Sequence, residues 1–217
     1  MRNALFALAA LAILATPAAP RAEEGAAEHG LRVKLGLGLG YGLPLGDVAK
    51  DEKLSNLYSG EIPVELEASY RFTHAISAGV YAGYGLGLVS SKEVNGEKAS
   101  DAIDSIGTFR FGVQGEYEFA KVGPALPFAA LRAGYVTESI GFKDGGTAKA
   151  SGWEYLTVIG GADFEVARSF AVGPFVSFSL GQYTTEKAPG GASESIPSGE
   201  RAMHEWLTVG VRGAFEL

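Results

Sequence analysis

The sequence predicts an all-β protein, an eight-stranded antiparallel up-and-down transmembrane β-barrel preceded by a signal peptide. Three observations predict it: apolar residues recur at every second position in eight stretches, the connections alternate between short and long, and a short apolar run follows a basic start.

The amino terminus reads Met1-Arg2-Asn3, then a 12-residue apolar run from Ala4 to Ala15, then Thr16-Pro17-Ala18-Ala19-Pro20-Arg21-Ala22. A basic residue, an apolar run too short to anchor in a bilayer and a small-residue segment make a secretory signal over 1–22. Cleavage fits after Ala18, Ala19 or Ala22, and there is no Cys to carry a lipid. A short tail over 23–30 then leads to a barrel over 31–217.

The strands are expected near 31–42, 61–72, 75–88, 106–119, 124–138, 153–167, 171–184 and 204–217. In the first, Leu31, Val33, Leu35, Leu37, Leu39 and Tyr41 oppose Arg32, Lys34, Gly36, Gly38 and Gly40. The second sets Ile62, Val64, Leu66, Ala68, Tyr70 and Phe72 against Glu65, Glu67, Ser69 and Arg71. The third is the glycine-rich run from Gly79 through Gly87, whose period of 2 and lack of a following Lys-Ser/Thr pair exclude a phosphate loop.

In the fourth, Phe109, Phe111, Val113, Tyr117 and Phe119 oppose Thr108, Arg110, Gln114, Glu116 and Glu118. The fifth sets Leu131, Ala133 and Tyr135 against Arg132 and Gly134, with Val136 on the polar side. The sixth has a clean apolar side, Leu156, Val158, Ala162, Phe164 and Val166, but its other face mixes Trp153, Tyr155, Thr157 and Ile159 with Asp163 and Glu165. The seventh opposes Val172, Val176, Phe178 and Leu180 to Ser177, Ser179 and Tyr183; Pro127 and Pro174 fall near strand starts, where a missing donor is tolerated. The eighth alternates Leu207, Val209, Val211, Phe215 and Leu217 with Thr208, Gly210, Arg212, Ala214 and Glu216.

Short connections at Thr73-His74, Ala120 to Gly123 and Arg168 to Phe170 alternate with long polar ones near 43–60, 89–105, 139–152 and 185–203. An even number of antiparallel strands puts the two kinds on opposite sides of a membrane. The Asp51-to-Leu57 stretch of the first long loop fits a short helix.

Strands cross hydrocarbon only when closed, because every unpaired backbone group there costs roughly several kcal/mol. Tyr41, Tyr70, Phe72, Tyr84, Tyr117, Phe119 and Phe215 sit near strand ends, where interfacial belts are found. The other face carries Arg32, Lys34, Arg71, Arg110, Arg132 and Arg212 against Glu65, Glu67, Glu116, Glu118, Asp163, Glu165 and Glu216. In a narrow barrel these fill the lumen as an ion-pair network, with glycines making room. Alternation alone does not say which face points inward, so a soluble secreted calyx, apolar inside and charged outside, is the rival. Such a calyx gives no reason for aromatics at strand ends.

In this pattern the chain resembles the small outer-membrane β-barrel proteins of Gram-negative bacteria, the group with OmpA-like and OmpW-like barrels. The resemblance covers about 28–217 and implies a place in the cell outer membrane. It implies contact with outer-membrane lipid and lipopolysaccharide, and handling by the barrel-insertion machinery, which reads a terminal aromatic strand. Here Phe215 stands two positions before the final Leu217, a departure from that signal.

Chemistry is sparse. The three histidines, His29, His74 and His204, fall in a tail, a turn and a strand start, so no metal cluster forms from them. The one conceivable catalytic set, His204 with Glu205, Ser177 or Ser179, matches no motif, so no enzyme and no cofactor are expected. Removing Arg2 and Arg21 from 18 basic residues leaves 16 against 25 acidic ones, net −9, a balance that disfavours nucleic acid. The expectation is a monomeric barrel with a structural or surface-interaction role. The alternatives are a pore or transporter for small or hydrophobic solutes, with Trp153, Tyr155 and Ile159 as an apolar lumen mouth, and the calyx.

Overall fold

The computed structural model describes residues 33–49, 52–94 and 97–217. The expected signal segment, the tail and Arg32 lie outside these residues.

Eight long strands form the wall: β1 (Val33–Ala49), β3 (Tyr58–Arg71), β4 (Ile76–Val89), β7 (Ile103–Glu118), β8 (Ala125–Phe142), β9 (Thr147–Ala167), β10 (Phe170–Lys187) and β12 (Met203–Glu216). Short pieces decorate one end: β2 (Glu52–Lys53) against β1, the hairpin β5 (Glu93–Val94) and β6 (Glu97–Lys98), and β11 (Ser193–Ser195) against β10. Each long strand pairs antiparallel with its sequence neighbours in the wall, and β1 pairs with β12 from Lys34↔Glu216 to Gly46↔His204. That last ladder closes the sheet and removes its edges.

The strands overrun their expected ends on the long-loop side. β8 continues to Phe142 and β9 begins at Thr147, so the expected loop over 139–152 is mostly a hairpin. The short helix lies at Leu54–Leu57, inside the stretch expected to form one.

Period 2 decides the two faces. Leu35, Leu37, Leu39, Tyr41, Leu43 and Leu45 all lie exposed on the outside of β1. Ten residues rise about 33 Å along a strand, or about 25 Å along the barrel axis at a tilt near 40°, the height of a transmembrane apolar band. Lys34, Gln114, Glu116, Arg132, Asp163 and Arg212 are buried inside. The calyx is thereby overturned, since its charged face would be the outer one.

Near the middle of the wall, β9 breaks the alternation against both of its neighbours. Between β8 and β9, Arg132 pairs with Thr157 but Gly134 with Glu154; between β9 and β10, Leu180 pairs with Leu156 but Gly181 with Glu154. Tyr155 is therefore an extra residue, a β-bulge, and everything before it changes face. Trp153 and Tyr155 point out with Leu156, whereas Glu154, Thr157, Ile159 and Asp163 point in. The mixed face of the sixth strand is two faces joined at a bulge. Trp153 and Tyr155 accordingly do not line an apolar lumen mouth.

Aromatic rings inside the barrel rest on glycines. Tyr81 lies over Gly112 and Gly134, where any Cβ would strike its ring or hydroxyl. At the long-loop end, Leu54 from the helix packs with Tyr58, Ile103, Ile106 and Trp206, flanked by Leu57, Val89, Ile140 and Phe142. This apolar cluster caps the lumen.

Candidate functional site: the ion-paired lumen

Most of the wall strands deliver one or more charges to the axis, and these meet in three tiers. Nearest the short turns, Lys34 of β1 donates to Glu116 at 2.5 Å and Glu118 at 2.8 Å, both on β7. Arg212 of β12 reaches Glu116 as well and holds both oxygens of Asp163 on β9, at 3.0 and 2.6 Å. Its guanidinium carbon stands 3.2 Å from the centroid of the Phe128 ring. Arg71 bonds Glu118 at 2.7 Å and also Glu216, so the last strand is tied to β3 over the intervening β1.

In the middle tier Arg132 of β8 donates to Glu65 at 2.7 Å, to Glu67, and to Gln114 at 3.0 Å, while stacking on Tyr81 with its guanidinium carbon 4.7 Å from the ring centroid. Gln114 passes the network on to Ser69 at 2.9 Å and Glu67 at 3.1 Å. A planar fork with five donors suits this site, where one cation must serve two carboxylates and an amide.

The upper tier joins Arg110 to both oxygens of Glu61, with Glu154 3.5 Å from its Nε. Tyr81 and Thr157 donate to Glu154 at 3.1 and 2.6 Å, and Tyr183 donates to Glu138 at 2.6 Å. His204 stacks on Tyr183, ring centroids 4.4 Å apart, and Tyr58 meets Trp206 edge to face at 5.1 Å.

The structure thus brings Lys34, Glu65, Glu67, Arg71, Arg110, Glu116, Glu118, Arg132, Asp163 and Arg212 into one connected lumen. Glu165 stands apart: it pairs with Lys121, both well exposed at the short-turn rim, because it lies near the end of β9. Glu216 keeps its lumen partner Arg71 but is more than half exposed. Sequence reasoning misses three carboxylates. Glu61 sits where a loop was expected to end, Glu138 stands at the last position of an expected strand, and Glu154 is out of phase until the bulge is known. His204 is buried, and Glu205 points to the other side of the wall, so the two do not form a catalytic pair.

Most of these lumen side chains are almost inaccessible: Glu61 and Asp163 are each 2% exposed, Thr108 1% and Arg132 5%. A water-wide path along the axis would wet them. Chemically the interior is a rigid, desolvated set of charge pairs.

No family model and no curated protein matches the chain. Among solved structures it is similar to Neisserial surface protein A, at 14% identity and TM-score 0.50, over 87% of this chain and 98% of that one. It is also similar to a major outer membrane protein from Thermus thermophilus, at 12% identity and TM-score 0.52, over 87% and 100%. A third is the outer membrane protein OprG from Pseudomonas aeruginosa, at 12%, 0.50, 87% and 98%. At such identities the likeness is one of fold. With the apolar exterior and charged interior, it makes this protein a small membrane-spanning β-barrel of the outer-membrane type.

Proposed function

We propose that this protein is an outer-membrane barrel with a closed lumen, serving as a rigid frame that displays its long-loop end as an interaction surface. The observation that carries the reading is the burial of the charged axis. Arg110, Arg132, Arg212 and Lys34 tie β1, β3, β7, β8, β9 and β12 together through Glu61, Glu65, Glu67, Glu116, Glu118, Glu154 and Asp163, and the cluster around Leu54 covers the upper end. An interior of this kind resists deformation, since separating any pair strands a charge away from water. The extended hairpins of β8, β9 and β10 then stand on a fixed base, as binding loops do on other scaffolds.

The test is single-channel conductance of the mature protein in a planar bilayer, after heat-shifted gel mobility has established folding. Silence from folded protein is expected. Discrete, reproducible steps would replace this reading with a pore, and Arg132→Ala would then widen or abolish them.

A further inference from the structure

Above the outer aromatics of β8 and β9, the wall continues as a sheet of β8, β9, β10 and β11 whose two faces differ in charge. Directly paired residues of an antiparallel sheet share a face. Ser139 pairs with Lys149, Lys149 with Lys187 and Lys187 with Ser193, giving a row of hydroxyl, ammonium, ammonium and hydroxyl across four strands. The next row is Glu138, Ala150, Glu186 and Glu194. Glu138 is buried on the inward side, and Ile140 on the same side packs into the apolar cap. The acidic row therefore faces the barrel axis, and the lysine row faces outward on the side that carries Tyr135 and Trp153 below it.

Two features make the lysine row unusual. Like charges directly opposite one another in a sheet repel, and among the described residues neither ammonium has a carboxylate within the 4.0 Å of an ion pair. Both lysines are exposed. Their height is the second feature. Lys149 precedes the outward Trp153 by four residues of continuous β9, about 13 Å along the strand and about 10 Å along the barrel axis. Tyr135 and Trp153 pack edge to face, ring centroids 5.3 Å apart, at the level where aromatic belts meet headgroups. An outward pair of ammonium groups one step higher stands among the charged parts of the outer-leaflet lipids.

We infer that Lys149 and Lys187, flanked by Ser139 and Ser193, form a binding site for the phosphate of a phosphorylated outer-leaflet lipid headgroup. Two ammonium groups on one face neutralise a phosphate from one side, the serines offer hydroxyl donors, and the bound anion relieves the lysine repulsion. The acyl chains of the same molecule lie down the apolar outer face below Trp153. This site is independent of whether the lumen conducts.

The probe is bisphosphorylated lipid A added to the folded, detergent-held protein, its retention followed by native mass spectrometry. Each basic residue near an anionic surface strengthens association about five-fold, so Lys149→Gln with Lys187→Gln is expected to weaken retention on the order of 25-fold. The folded state is checked by heat-shifted mobility. Lys98→Gln, which removes an exposed lysine of the separate β5–β6 hairpin, is expected to leave retention unchanged, as is millimolar inorganic phosphate. Equal retention by the double variant and the wild type would overturn the site. So would equal binding of fully dephosphorylated lipid A, which would mean acyl packing alone. Displacement by inorganic phosphate would overturn the lipid as occupant and leave a free-anion site.

Discussion

Arg132→Met removes the cation on which the middle of the barrel is organised while keeping much of its volume. Arg132 is buried, with Glu65 at 2.7 Å, Glu67 in contact and Gln114 at 3.0 Å. Opposite charges about 4 Å apart attract by about 4 kcal/mol at an effective dielectric near 20. Two such attractions are offset by the several kcal/mol, roughly, needed to take each ion out of water, so the intact set contributes little net. Removing the cation alone abolishes the attraction and leaves two carboxylates facing each other in the lumen. The expected loss is about 3–5 kcal/mol. The measurement is reversible urea unfolding in phosphatidylcholine vesicles, followed by tryptophan fluorescence and heat-shifted mobility. Arg132→Met combined with Glu65→Gln and Glu67→Gln removes all three charges, and is expected to recover stability to within about 1–2 kcal/mol of wild type, since neutral replacement of a whole buried set is often tolerated. A loss under about 1 kcal/mol for the single variant would refute the reasoning, given what stranding a buried charge costs. So would a triple variant no more stable than the single one.

The bulge makes an optical prediction: in vesicles of brominated lipid, Trp153, 53% exposed on the outer face, is quenched, whereas Trp206, 4% exposed inside, is not. Single-tryptophan variants made with Trp153→Phe or Trp206→Phe read the two separately, and quenching of both would contradict the placement. Deleting Tyr155 removes the extra residue and leaves Glu154 inward, Trp153 outward and both neighbouring strands in register, so the folded, heat-shifted band is expected to persist; its loss would refute the bulge. Gly79→Ala places a Cβ against the Ala68 carbonyl and the Ser69 backbone and is expected to cost about 1–3 kcal/mol in the same urea assay. Gly115→Ala faces outward with no atom within 4 Å of the new carbon and is expected to be neutral or stabilising by about 0.4–1 kcal/mol.

The readable part of the lumen network was the part carried by unbroken alternation. Arg110, Gln114, Glu116 and Glu118 share a face of β7 because nothing interrupts the period from Thr108 onward, and Glu65, Glu67 and Arg71 do so on β3. Glu154 was unreadable for a local reason: one extra residue inverts the face of everything before it, and Tyr155 looks like any other aromatic in a strand. Glu61 and Glu138 were lost at strand ends, because the strands continue above the apolar band, where polar residues on both faces erase the pattern.

The sequence by itself determined the number of wall strands, their antiparallel order and the division of each into an apolar and a charged side, since these follow from a period of 2 and from loop lengths. Only the tertiary structure decided which side faced the axis, because a sheet with two unlike faces can close either way. It alone chose the partners as well. Arg212 meets Glu116 from 96 residues away and Lys34 meets Glu118 from 84, and such pairings exist only once eight tilted strands have closed and brought opposite walls within a side chain's reach.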